Sequence, residues 1–121
     1  MRTQRCIIFV LVFAVLTIGL ADVAMAKKGK KKADGKELYK EFCKPCHAEG
    51  SENGEYTPMT LIQDQWERFF DEKYVASHES VTDPNHDNEP VTEVISEDSL
   101  KAIEKFCIKG AADSEHPMTC G

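Results

Sequence analysis

The chain has 121 residues, five cysteines and a formal net charge of −6. A chain of this size holds one core at most, and so small a core calls for staples such as disulfides, metals or cofactors. Its acidic balance argues against nucleic acid as a partner, because phosphate binding needs the opposite sign.

Residues 1–26 stand apart from the rest. Arg2 and Arg5 form a positive start, Ile7 to Leu20 an unbroken apolar run, and Ala24-Met25-Ala26 a small-x-small cleavage pattern, together the grammar of a secretory signal peptide. The apolar run has 14 residues, short of the ~20 needed to span a bilayer, so no stable membrane anchor is expected after cleavage. Cys6 precedes that run and leaves with it. What remains is 95 residues with thirteen Lys and Arg against twenty Asp and Glu, a net charge of −7, and four cysteines. An even cysteine count in an exported, oxidising compartment, here the periplasm, calls for a pairing scheme. Residues 27–33 begin with KKGKKK and read as a basic disordered tail that aids export or solubility, with weak attraction to anionic surfaces as the lesser alternative. From Ala33 onward eight basic residues face twenty acidic ones, a balance of −12. The folded domain is placed at 34–121.

Three helices are predicted. The first starts at Asp34, an N-cap with Glu37 three positions on, and lines up Leu38, Phe42 and Cys46 with Tyr39 and Cys43 beside them. The second covers about Leu61 to Val75 and carries Trp66, Phe69, Phe70 and Tyr74, which pack between helices or on a bound group. The third starts at Ser96, places Leu100, Ile103, Phe106 and Cys107 on one face, and ends at Gly110. Between them, Ala48 to Pro58 reads as a loop. Ala76 to Thr92 is long for a structureless connection, and loops of that length are usually functional or disordered. Strand signals are weak, since only Pro90 to Ile95 alternates.

Cys43-Lys44-Pro45-Cys46-His47 matches C-x-x-C-H, the attachment motif of c-type haem. Two thiols three residues apart at a helix end can reach the two vinyl groups on one porphyrin edge, and the next residue then offers its imidazole to the iron. A thioredoxin-like pair would need a strand before the motif, where an amphipathic helix stands instead. A zinc site would need further ligands at convincing spacing, and a plain structural disulfide is the blandest reading.

The run Asp34 to Gly50 resembles the opening of a small bacterial class I cytochrome c. That resemblance implies an all-α fold of about three helices around one covalently attached haem, with Cys43 and Cys46 bound to the cofactor and His47 as proximal iron ligand. It also implies that the carbonyl of Pro58 accepts a hydrogen bond from the ligating imidazole. The family normally supplies a distal Met from the loop before the last helix, and the corresponding loop here has none. His78, which follows directly from the aromatic helix, is expected to be the distal ligand. His86, Met59 and Met118 are its rivals, as is an open or water-bound iron. In their bland readings His86 and His116 are solvated surface residues and Met59 is core filler.

Cys107 and Cys120, left over from the motif, are expected to form a disulfide that pins the tail to the third helix, contributing ~3 kcal/mol on the chain-entropy model. The implied function is periplasmic electron transfer, with no enzymatic activity, between larger redox partners that offer a basic docking surface to this acidic domain. A small-ligand-binding or peroxidase-like haem protein with an open sixth position is the alternative, and a fixed haem subunit of a respiratory enzyme a third.

Overall fold

A computed structural model describes residues 33–118. The expected signal peptide at 1–26, the basic residues 27–32 and Cys120 lie outside the described residues.

The first helix, α1, begins where the N-cap places it: the Asp34 side chain accepts from the Lys36 N–H at 3.0 Å. Glu37 does not close a capping box and instead pairs with Lys40 at 2.9 Å. Gly35–Leu38 is α-helical, Tyr39–Cys43 opens into a π turn in which the Lys44 N–H donates to the Tyr39 carbonyl, and Lys44–His47 returns to α geometry. A loop then leads to a 3₁₀ turn at Pro58–Thr60.

The second helix, α2, repeats that construction over Gln63–Arg68, a π turn Phe69–Lys73, and Tyr74–His78. Its start is held by the tail: Asp113 Oδ1 accepts from the Gln63 N–H at 2.8 Å, a carboxylate placed at a helix N-terminus where the dipole favours it. The helix runs further than Val75 and makes His78 its last residue.

The long segment after α2 is built rather than irregular. Strands β1 (Thr82–Asp83) and β2 (Glu89–Pro90) pair antiparallel, Thr82 opposite Pro90 and Asp83 opposite Glu89. Asp87 and Asn88 take the left-handed conformation, at φ 53 and 57, that closes the turn. The alternation at 90–95, the one weak strand signal in the sequence, does not make a strand: Val91–Val94 forms the short helix α3, and the Val91 N–H donates to the Val81 carbonyl. The fold is therefore mostly helical, compatible with the all-α expectation, and adds to the three expected helices a short fourth one and a small two-stranded ribbon.

The last helix, α4, covers Glu97–Lys109, with Ser96 as N-cap accepting from the Ser99 N–H and Gly110 at its end. The core gathers Tyr39, Trp66, Val91, Ile95, Ile103, Cys107 and Ala111, drawn from all four helices and the start of the tail. Helix α1 crosses α4 at its own first residue. A Cβ on Gly35 would collide with the Ala102 carbonyl and lie 2.9 Å from Phe106 Cβ, so only glycine permits this approach.

Candidate functional site

One wall of a cavity of about 350 Å³ is formed by α1 and the other by α2, with Leu100 and Cys107 of α4 closing it. The two π turns lie in these walls. A π turn is a rare local widening of a helix, frequent at functional sites. The lining is mostly apolar and aromatic, with a few polar groups set into it, which is the usual chemistry of a cofactor or ligand pocket.

Cys43, Cys46 and His47 all line the cavity, at the C-terminal end of α1. Burial beside Cys46 pushes the Cys43 thiol from 9.0 up to about 12. His47 Nδ1 lies 3.1 Å from the carbonyl of Gly54. A carbonyl oxygen can only accept, so Nδ1 carries a proton, which in the neutral ring leaves the lone pair on Nε2. Gly54 has φ +85, a conformation that suits glycine, and the following Tyr56 ring meets His47 edge-on at 5.0 Å.

His78 lies across the cavity at the end of α2. Its Nδ1 is 2.8 Å from the Tyr74 carbonyl one turn back, so its Nε2 is likewise free of the backbone. The two imidazole centroids stand 6.1 Å apart with planes crossed at 79°. Two metal–imidazole bonds of about 2 Å, each with its ring centre about 1 Å behind the nitrogen, span about 6 Å. The pair thus has the separation of two imidazoles on opposite sides of one metal ion. A backbone carbonyl on each Nδ1 is the outer support such ligands normally have.

A further feature bears on what fills the cavity. The Tyr74 hydroxyl is buried in the lining and has no hydrogen-bond partner among the described residues, and burial, with Cys43 nearby, pushes its pKa from 10.0 up to about 12. A buried hydroxyl left unsatisfied costs about 1–3 kcal/mol, which an occupant bringing an acceptor would recover. A flat, largely apolar tetrapyrrole with carboxylate arms fits these residues. It has surface for the aromatic walls, an acceptor for the orphan hydroxyl, vinyl groups for the two thiols and a metal for the two imidazoles.

The other residues singled out as iron ligands lie elsewhere. His86 is no free surface residue: its Nδ1 is 2.9 Å from Asp83 Oδ2, its Nε2 is 3.9 Å from Glu41, and its ring stacks on Phe42 at 5.3 Å. It clasps the ribbon to α1 from outside the cavity. Asp83, 4% exposed, is the buried acid at the centre of this clasp and also accepts from the Asn85 N–H. Met59 is 37% exposed and so is not core filler, and Met118 donates its N–H to the Gly110 carbonyl; neither lines the cavity. His116 is exposed.

Pro58 is buried, but its carbonyl accepts from the Trp66 indole at 2.8 Å rather than from His47. The indole claims that acceptor, and Gly54 takes over the role expected of Pro58. The Asn53-Gly54 dipeptide was a turn signal in the sequence, although nothing in the sequence tied it to the imidazole. Cys107 is 1% exposed and borders the cavity, a position its helical stripe did not reveal. Its presumed partner, Cys120, lies outside the described residues. The tail is nevertheless fastened without it: Ala112 donates to the Leu61 carbonyl, and Asp113 caps α2.

Among the described residues, no helix is long and apolar enough to cross a membrane, and no group of three or more His, Cys, Asp and Glu forms an all-protein metal site. No family model, curated protein or solved structure matches the chain.

Proposed function

We propose that this protein is an exported one-electron carrier that holds a single haem c through thioethers to Cys43 and Cys46, with His47 and His78 as axial ligands. The observation that carries the reading is the pair of imidazoles on opposite walls of one aromatic cavity, 6.1 Å apart, each with Nδ1 on a backbone carbonyl. The C-x-x-C-H motif supplies the other half of the support. Bound haem supplies a one-electron couple. The chain's own residues fix both imidazoles in one tautomer, wrap the cofactor in apolar side chains and hold it by covalent bonds in a domain too small to bury it by packing alone.

Two histidines place the reduction potential below that of a His/Met site, since Met ligation raises it. The acidic surface would steer docking to a basic face of larger redox partners, an effect that fades with salt. With both axial positions filled, the chain acts as a carrier rather than an enzyme.

The test is expression alongside a c-type haem attachment system. The protein should retain haem after denaturation in reducing gel buffer and show a low-spin bis-imidazole spectrum in both oxidation states, without the weak far-red band of Met–Fe(III) ligation. Release of haem on denaturation would sink the covalent reading, and that far-red band would sink His78 as ligand. Rapid CO binding by the reduced protein would instead favour an open-site haem protein.

A further inference from the structure

Four rings on α2 form a ladder at every fourth residue. Trp66 stacks on Phe70 at 5.9 Å and 29°, Phe70 stacks on Tyr74 at 6.1 Å and 27°, and Tyr74 meets His78 at 4.7 Å in a tilted contact of 32°. Phe69 stands edge-on to every rung, at 6.1 Å from Trp66, 5.4 Å from Phe70, 6.4 Å from Tyr74 and 6.3 Å from His78, with interplanar angles of 77–84°.

An ordinary α-helix allows each contact between residues four apart but would not keep all four rungs on one face. At 100° per residue, twelve residues overshoot three full turns by about 120°, which would carry His78 to a different face from Trp66. The π turn Phe69–Lys73 removes the discrepancy. There the Tyr74 N–H reaches five residues back to the Phe69 carbonyl, so one turn consumes one extra residue and the overshoot falls to about 20°. The distortion is local, since Lys73 sits at φ −118 while Arg68 and Tyr74, which flank the π turn, are near −60.

We propose that α2 carries one residue more than an α-helix needs to bring His78 to the cavity, and that the π turn Phe69–Lys73 absorbs it. The π turn is thus the positioning element that sets the distal imidazole opposite His47. This rests on the reading of His78 as an iron ligand. Its consequence is an asymmetry that an ordinary helix lacks. Deleting one exposed residue from the turn relaxes it to α geometry and leaves His78 in place. Adding one residue turns His78 away by about 100°.

The experiment compares holoproteins of wild type, a deletion of Asp71, and an insertion of one alanine after Glu72, both positions being solvent-exposed. The deletion variant should keep the bis-imidazole spectrum. The insertion variant should keep its thioether-bound haem, lose the bis-imidazole signal and gain fast CO binding. An alanine inserted after Glu79, beyond the ligand, should change nothing. If deletion and insertion abolish the spectrum alike, or if neither does, the proposal is overturned. Where the insertion variant fails to fold by circular dichroism, the deletion arm decides alone, since an ordinary helix would lose His78 there too. The cofactor-free chains give a second readout: a ring-to-ring nuclear Overhauser contact between Tyr74 and His78, and one between Phe69 and His78, in wild type and deletion variant. If wild type takes up no haem yet these contacts survive the deletion, the function falls and the register stands. If haem binds normally and the contacts vanish with Asp71, the reverse holds.

Discussion

The two cavity walls, α1 and α2, are built alike but hold their histidines differently. Each is a short α segment, a five-residue π turn and a closing α segment that ends in a histidine. On α2 the imidazole is oriented by its own helix, through the Tyr74 carbonyl four residues back, and by the ring ladder beneath it. On α1 it is oriented by a loop, through Gly54 seven residues on in a conformation that favours glycine. One imidazole is thus set by secondary structure and the other by a turn. The turn-dependent one is His47, next to the two cysteines that would tether the cofactor and so relieve it of holding the group alone.

That contrast can be broken at several points. The largest effect is expected from His47→Ala, which should cut recovery of covalently loaded holoprotein at least tenfold, as read by haem stain against total protein. His78→Met should leave attachment intact but raise the potential on the order of 0.1 V, a modest part of the ~0.8 V that axial ligands command, measurable by redox titration. Gly35→Ala forces α1 off α4 and should cost about 1–3 kcal/mol, read as a lower urea midpoint with unchanged slope. Gly54→Ala strains a residue at φ +85 and should cost about 1 kcal/mol while broadening the signals of the His47 ring but not those of His78. Equal disturbance of both rings would erase the distinction between the walls.

A separate effect concerns pH. The Cys43 thiol rises from 9.0 to about 12 and the Tyr74 hydroxyl from 10.0 to about 12, chiefly because burial disfavours their anions. Groups whose pKa is higher folded than unfolded support the fold below their unfolded values and weaken it as pH climbs to the folded ones. The cofactor-free chain should therefore lose melting temperature between about pH 9 and 12. Thioether formation at Cys43 should remove its share of that loss, so the holoprotein's curve should be flatter.

Much of this was legible in the sequence where the signal is local. Asp34, Ser96 and Gly110 mark helix ends through side-chain caps or backbone freedom, and the C-x-x-C-H spacing needs no tertiary knowledge. The sequence pattern ends α2 near Val75 because Tyr74 is the last apolar residue in helical spacing, yet the helix continues to His78. The π turns were invisible because a 3.6-residue period was assumed throughout. The regular fourfold spacing of Trp66, Phe70, Tyr74 and His78 was their available trace. Pro90 to Ile95 alternates like a strand, but the Val91 N–H finds its acceptor on Val81 and the backbone turns helical from there. The partner of His47 could not be read at all, since a competition between an indole and an imidazole for one carbonyl is decided by packing.

The contact between Gly35 and Ala102 joins residues 67 positions apart, and Cys43 meets the Cys107 side of the cavity over a similar span. Closing loops of that length is the slow, entropically costly part of assembling a small domain. A chain that has emerged only as far as α2 already displays both thiols and both histidines, but no α4 against which α1 can settle. Cofactor attachment to such a partial chain would meet an open cleft, and completion of α4 would then shut the cleft behind it.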